Sequence, residues 1–388
     1  MTSIGTTKKG QKTLTDIFLI SGQIDRVLLY LLLGLIIAGT ASVASSSFFL
    51  STHIYGISGY YLKKQFIFLG LASIVGVISY MMPTRLWQSI APFILLGVIA
   101  LLSLVLVSGI GRHINGSSRW LNIVGINIQA SEVAKLGFII YLSSYVHRKQ
   151  DLLHSTFMGF ITPLLVMMVI CGLLIMEPDF GSVFIVCLIG GSMLFLAGLP
   201  WGVITFLTIT ITSIMAALVL VSPYRLLRFT TFFDPWAQAF SDGYQLTQSL
   251  IAVGRGGITG VGLGYGLQKQ LYLPEAHTDF IYAVMAEEFG LLGACVIILV
   301  FVLLAIRFSY WIHIAIKRNL CFEAMCLYGI MIWWTSSAMF SMAVNLGLVP
   351  TKGIAFPFFS YGGSNLLVNA CATGIVLRIT KNLSKGMM

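Results

Sequence analysis

Leu273-Pro-Glu-Ala-His-Thr-Asp-Phe-Ile-Tyr-Ala-Val-Met-Ala-Glu-Glu-Phe-Gly290 closes the longest polar segment of the chain and runs straight into an apolar run at 280–306. Asp279 thus stands where a water-exposed loop becomes a membrane helix, and a carboxylate at that depth is costly unless something uses it. The same passage from polar to apolar recurs along the whole chain. Charged residues make up 9% of 388 positions, against about 25% in soluble proteins. Hydrophobic residues reach 57% and the mean hydropathy is +0.93. Apolar runs of about 20 residues are long enough to cross the hydrocarbon layer as helix, and a helix keeps every backbone polar group bonded in lipid. The expected fold is an all-α polytopic membrane protein.

Ten spans are expected at about 27–47, 65–82, 88–108, 131–147, 157–176, 179–198, 201–221, 280–306, 322–345 and 364–381. A large extracytoplasmic loop, 222–279, separates spans seven and eight. The implied organisation is a cytoplasmic N-terminal tail, 1–24, followed by a single transmembrane domain, 25–385. An even number of spans puts both termini on one side. With that side cytoplasmic, it receives Lys8, Lys9, Lys12, Arg26, Arg85, Arg148, Lys149, Arg307, Lys317, Arg318, Arg378, Lys381 and Lys385, as the positive-inside rule requires. The first apolar run is too long for a signal-peptide core and lacks a small-residue cleavage site, so it reads as a retained span. The net charge of +10 is scattered between apolar runs, which sets topology and does not suggest nucleic acid as a partner. The six cysteines show neither zinc spacing nor a disulfide framework and read as packing residues.

This topology sorts the chemistry. The cytoplasmic connections are short and basic, without a Walker loop or a strand-flanked glycine fingerprint. The outer side carries Gly111–Glu132, Glu177–Ser182, Ser222–Asp279 and Gly347–Ser364. In the first segment Arg119-Trp120 is either an interfacial anchor or a ligand contact. Ser131 is a candidate cap for span four. Glu132 and Lys135, at i,i+3, form either a self-satisfied ion pair or a site where Lys135 faces a cavity and binds an anion. The carboxylates Glu177 and Asp179 stand at i,i+2 without a nearby histidine, which argues against a metal.

In the large loop, 222–236 reads as an amphipathic piece at the interface. Arg225 and Arg228 there suit an anionic headgroup. Residues 245–253 read as a short, half-buried helix, and the glycines of 254–266 as a compact re-entrant turn or a phosphate cradle. In the last segment Pro357, Gly362 and Gly363 break helix, Ser364 is a candidate cap, and Lys352 supplies a cation beside a helix start. Asp279 itself has two readings: a functional base, or a first-turn charge favoured by the helix dipole with Thr278 as cap. Glu275 and His277 are placed to orient a substrate or Asp279. Glu287, eight residues on, lines the same cavity or pairs with a basic residue.

Four motifs in order resemble the SEDS family (shape, elongation, division and sporulation) over nearly the whole chain. They are Arg119-Trp with Gln129-Ala-Ser-Glu132 and Lys135, Glu177-Pro-Asp-Phe-Gly, Leu273-Pro-Glu-Ala-His-Thr-Asp-Phe280, and Pro357-Phe-Phe-Ser-Tyr-Gly-Gly-Ser364. Glu275-Ala-His-Thr-Asp and Pro350-Thr-Lys-Gly353 look more like its division branch than its elongation branch. Ala130 departs from a usual proline and Asn365 from a common serine.

The resemblance implies a peptidoglycan glycosyltransferase that joins lipid II to a growing glycan strand at the outer face of the bacterial plasma membrane, at the division septum. It implies Asp279 as the catalytic carboxylate. A class B penicillin-binding transpeptidase, with other membrane proteins of the division machinery, is the implied partner. The leaving group is an anionic polyprenyl pyrophosphate, so one base and several cations suffice and the anomeric centre inverts. The substrate-binding residues expected on this basis are Arg119, Glu132, Lys135, Arg225, Arg228, Glu275, His277, Lys352 and Ser360, with Arg255 as a further cation. No cofactor is required; a divalent cation (Mg or Mn) on the pyrophosphate is left open. The rival readings are a transporter that flips the lipid-linked precursor and a non-catalytic scaffold.

Overall fold

The computed structural model describes residues 24–107, 111–114, 117–123, 126–155, 157–221, 223–351 and 353–385. In chain order it begins with helices α1 (Arg26–Tyr55), α2 (Tyr60–Met81) and α3 (Thr84–Leu106). A small antiparallel sheet follows, β1 (Gly111–Ile114), β2 (Ser117–Ile123) and β3 (Ile126–Gln129), with Trp120 paired to Arg112 on one side and Gln129 on the other. Then come α4 (Ala130–Arg148), the short α5 (Gln150–Ser155), α6 (Met158–Met176), α7 (Phe180–Leu196) and α8 (Trp201–Leu220). The large loop contains α9 (Pro223–Phe233) and α10 (Tyr244–Gly256), and the chain ends with α11 (Ile281–Lys317), α12 (Cys321–Asn345) and α13 (Gly363–Lys385).

Ten of these helices fall on the expected spans. Among the described residues, six are long and apolar enough by themselves to cross a membrane: α1, α2, α3, α6, α11 and α12. Helix α4 does not need an apolar exterior, because it is buried from Ala130 to Val146. It packs against α3 and α12 at the centre of the bundle, while α13 packs along α2. Helices α1, α2, α3 and α6 turn broad apolar faces outward, as a lipid-exposed ring must.

Asp25 caps α1 by accepting from the N–H groups of Val27 (3.0 Å) and Leu28 (3.2 Å), and it accepts from Arg307 Nε of α11 at 2.6 Å. Arg318, just past α11, donates to the carbonyl of Leu383 at 2.6 Å. The beginning of α1 and the end of α13 therefore lie beside the same, C-terminal half of α11.

Four local expectations are corrected. The segment after α3, for which no strand is expected from the sequence, forms a three-stranded sheet. Helix α4 starts at Ala130, its cap position, Gln129, makes no side-chain bond, and the hydroxyl of Ser131 is buried without a partner. Ser364 does not close α13; it accepts from Gln129 N–H (3.0 Å) and donates to the Asn127 carbonyl (2.6 Å), tying the sheet to α13. Thr278 does not cap α11 and bonds to Glu275 instead, leaving Phe280 at the cap position.

The apolar run 280–306 also differs from a single span. Helix α11 breaks at Gly290, which adopts φ 66° and ψ −165°, a region open essentially to glycine alone. A break inside a membrane bundle strands backbone groups, and the glycine-rich segment after α10 bonds them. Val261 and Gly262 donate to the carbonyls of Glu287 (3.0 Å) and Glu288 (2.9 Å); Leu291 and Leu292 donate to those of Gly257 (2.9 Å) and Ile258 (3.1 Å). A β-carbon on Gly256 or Gly260 would strike the carbonyls of Ala286 or Glu288, so close backbone approach requires glycine at both. The segment is thus a compact turn paired to a helix break.

Two ion pairs lock this junction, one fully buried and one between a buried carboxylate and an exposed arginine. Glu287 accepts from Arg255 (2.9 Å) and from the N–H groups of Leu267 (2.9 Å) and Gln268 (3.2 Å). Glu288 accepts from Lys269 (2.5 Å) and Ser45 of α1 (2.7 Å).

Candidate active site

Asp279 sits in a tight turn just ahead of the α11 half-helix. Glu275 takes φ 54°, and its carbonyl receives the N–H groups of Thr278, Asp279 and Phe280, each at 3.1 Å. The loop between α12 and α13 then fastens this turn residue by residue. Tyr361 N–H donates to the His277 carbonyl (3.0 Å), and Ser360 Oγ donates to the Thr278 carbonyl (2.7 Å) while accepting from Phe356 N–H (2.9 Å). Asn345, at the end of α12, donates to the Asp279 carbonyl at 2.9 Å. The carboxylate lies against Gly353: a β-carbon there would stand 2.7 Å from Oδ2.

The 177–182 turn reaches the same place. A β-carbon on Gly181 would stand 2.7 Å from Cγ1 of Ile354, so this turn lies directly under the last outer loop. Asp179 caps α7 through Ser182 N–H (3.3 Å) and Ser182 Oγ (2.8 Å). Arg119 of β2 donates from Nη2 to the Pro178 carbonyl (2.6 Å) and from Nε to the Glu177 carbonyl (3.4 Å). Four stretches far apart in sequence, 117–123, 177–182, 273–280 and 353–361, therefore meet around one carboxylate.

The electrostatics suit a base. Asp279 is closely surrounded, with only part of its surface reaching solvent. Burial, first, and the nearby Glu275 and Asp179 charges push its carboxyl up to about 6, while Arg119 pulls the other way. Glu177 is buried with neither carboxyl oxygen hydrogen-bonded. Burial and Asp179 push it to about 8 against the pull of Arg119, so it is mostly neutral at pH 7. The hydrogen-bond acceptors of Arg119 here are two neutral carbonyls, which leaves its positive charge to act on Asp279 and on whatever binds beside it.

The other expected residues fall into distinct places. His277 is buried, its ring 4.8 Å from Tyr61 and 5.7 Å from Tyr361, and burial lowers its pKa despite Glu275. His277 and Ser360 shape the turn through their backbone and hydroxyl bonds. Glu275 is exposed and acts on Asp279 through its charge. Glu132 and Lys135 form a buried 2.7 Å ion pair within α4, with the Lys135 ammonium 5.6 Å from the Trp333 ring centre. Glu287 pairs with a basic residue, which also takes up Arg255. The side chains of Arg225 and Arg228 on α9 lie outside the described residues, as does Lys352. Among the described residues no group of three or more His, Cys, Asp or Glu is arranged to hold a metal ion.

One residue at the site escaped the sequence reading. Asn345 looks there like any polar residue near the end of an apolar span, and its only signal was an amide where α12 gives way to a loop.

Comparison with known proteins shows the family and the fold. The model for cell cycle proteins of the FtsW/RodA/SpoVE type matches residues 25–385. A probable peptidoglycan glycosyltransferase FtsW of Legionella pneumophila is 41% identical over 355 residues, covering 92% of this chain and 90% of the relative. The corresponding protein of Alcanivorax borkumensis is 43% identical over 358 residues, covering 92% of each. Among solved structures, a chain of a peptidoglycan synthase complex that coordinates polymerization and crosslinking superposes with TM-score 0.73 at 24% identity, over 92% of this chain and 98% of that one. The rod shape determining protein RodA of Thermus thermophilus does so with TM-score 0.68 at 23% identity, over 94% and 98%. These structures share its fold. With a family match spanning 25–385 and relatives above 40% identity, this multi-pass membrane protein belongs to the FtsW/RodA/SpoVE family of cell cycle proteins.

Proposed function

We propose that this protein is a division-type peptidoglycan glycosyltransferase that polymerises lipid II, with Asp279 as general base. The observation that carries the reading is the convergence of four outer segments on a single raised-pKa carboxylate with Arg119 beside it. Asp279 takes the proton from the 4-hydroxyl of the lipid II disaccharide. That oxygen attacks the anomeric carbon of the growing strand, and the bond to the polyprenyl pyrophosphate breaks with inversion. A carboxyl near 6 is largely ionised at pH 7 yet more basic than a free aspartate, which favours proton abstraction. Arg119 stabilises the charge gathering on the pyrophosphate, and the leaving group needs no proton. Arg225, Arg228 and Lys352 complete the cationic set, with Arg225 and Arg228 at the headgroup level of α9.

The same reading puts both termini in the cytoplasm and Asp279 at the outer face of the bacterial plasma membrane, at the septum. A class B penicillin-binding transpeptidase and other membrane proteins of the division machinery are its partners, with membrane lipids around the bundle. The test is glycan polymerisation from lipid II by the purified protein with its transpeptidase. Asp279→Asn should abolish strand formation; unchanged polymerisation removes Asp279 as the base. Lipid II crossing vesicle membranes with no strand formation by the unsubstituted protein would instead favour a transporter.

A further inference from the structure

Helix α11 begins without a cap of its own. Phe280 occupies the cap position and its side chain makes no bond, although the first turn of any helix leaves N–H groups unsatisfied. The cap comes from another helix. Asn345 Oδ1 accepts from Ala283 N–H at 2.9 Å, a hydrogen shared with the Phe280 carbonyl at 3.1 Å, while Nδ2 donates to the Asp279 carbonyl at 2.9 Å and to the Ser341 carbonyl at 2.8 Å. The Asn345 carbonyl in turn accepts from Ser249 of α10 at 2.8 Å. The side chain is fully buried, and both hydrogens and the oxygen of its amide are in use.

We infer that Asn345 is a positioning residue for Asp279: it fixes the turn 279–283 against α12 and so sets the direction in which the carboxylate points. The primary amide reaches both groups with two separate polar atoms, donating from Nδ2 to the Asp279 carbonyl and accepting at Oδ1 from an N–H one turn later. Aspartate keeps the acceptor and loses the donor; leucine has the size and neither function. Asn345 touches only the main chain of Asp279 and Ala283, so its influence on the reaction passes through position. The carboxylate it aims is closely bounded, by Gly353 on one side and by the charges of Glu275, Arg119 and Asp179 around it. A small rotation of the turn would change all of these relations together.

The inference rests on Asp279 being the base, and the experiment separates the two. Polymerisation of lipid II by the complex with its transpeptidase is measured for Asn345→Leu across pH 5–8, beside Asp279→Asn. The expected result is a kcat lowered about 10- to 100-fold, as for a reacting group displaced by about an ångström, with an unchanged KM for lipid II. The acid limb of the rate should also move below its wild-type midpoint near 6, because a carboxylate swung toward solvent is less desolvated. A merely structural role would lower the amount of active protein and leave the midpoint where it was; that result overturns the inference. If Asn345→Leu shows no melting transition, the isosteric Asn345→Asp is read by kcat instead, and wild-type turnover there overturns it too. Activity surviving in Asp279→Asn would instead remove the base on which the inference rests.

Discussion

Replacing Asp279 by asparagine should make the protein more stable as well as inactive, and the gain should depend on pH in a fixed direction. Asp279 is raised from 3.8 to about 6 by burial and by Glu275. Its folded pKa exceeds its unfolded one, so the folded state holds a proton that the unfolded chain has already released. Stability from this group is therefore complete below the unfolded pKa and is lost as pH rises through the folded pKa. A shift of roughly two units is worth about 3 kcal/mol once the carboxyl is ionised in both states. The neutral amide introduced by Asp279→Asn would keep the shape and remove that cost. The substituted protein should then melt a few degrees higher than the wild type at pH 8, with the free-energy difference near ~3 kcal/mol falling to about half by pH 5. The assay is thermal unfolding of both proteins in one detergent or nanodisc preparation, scanned over pH 5–8. A difference that does not change with pH, or an Asp279→Asn protein no more stable than the wild type at pH 8, would refute the argument that burial, and not the helix dipole, controls this carboxylate.

Three further outcomes follow from the same geometry. Gly353→Ala places a methyl 2.7 Å from Asp279 Oδ2 and should displace the carboxylate, lowering kcat by about 10- to 100-fold with little change in melting temperature. Lys269→Met leaves Glu288 buried with Ser45 alone and should cost about 3–5 kcal/mol, most of it recovered in the double variant with Glu288→Gln; chemical denaturation of the four proteins in the cycle measures it. Glu177→Gln should already melt higher than the wild type at pH 7, because the unfolded chain has released this proton while the folded state must still hold it. The gap should be small at pH 5, widen as pH rises toward the folded pKa of about 8 and level off above it; parallel melts at pH 5, 7 and 9 decide this, and a gap that does not grow from pH 5 to 7 refutes it.

The spans were legible because hydropathy reports length and contact with lipid, and both leave runs of about 20 residues. Helix α4 was found in spite of its charges: Glu132 and Lys135 satisfy each other within one helix, so its polarity never meets lipid. Asp279 was legible for a related reason, as a carboxylate at a border where polar groups are expensive. The break at Gly290 was not, since glycine is as apolar as its neighbours and a hydropathy run passes over it. Its traces were the adjacent acids, Glu287 and Glu288, whose partners Arg255 and Lys269 lie in the preceding loop. The capping roles of Ser131, Thr278 and Ser364 failed because sequence shows which residue is able to cap and not which competing acceptor lies nearby. For Ser364 that competitor was strand β3, more than 230 residues earlier in the chain. Asn345 failed by the same logic in reverse, as a cap supplied across 62 residues to a helix not its own.

The break also explains how a membrane protein can aim a surface carboxylate. In an unbroken α11 the direction of Asp279 would follow the tilt of a long, largely lipid-exposed rod, which is set by many weak contacts along its length. Gly290 separates these tasks. Residues Ile281–Glu288 are buried on all sides, while the stretch after the break presents Leu291, Leu292, Val296, Leu299 and Val302 outward. The half-helix takes its orientation from α12 through Asn345 and from the glycine segment through the bonds to Glu287 and Glu288. An ion pair buried as deeply as Lys269–Glu288 adds little net stability, because desolvation offsets its attraction, but a broken one is heavily penalised. That asymmetry suits a junction that must adopt one arrangement: alternatives in which the half-helix rotates or slides strand a carboxylate in the bundle. Rigidity at the junction is thereby passed along two turns of helix to Asp279, and the lower part of α11 can adapt to the bilayer without moving that carboxylate.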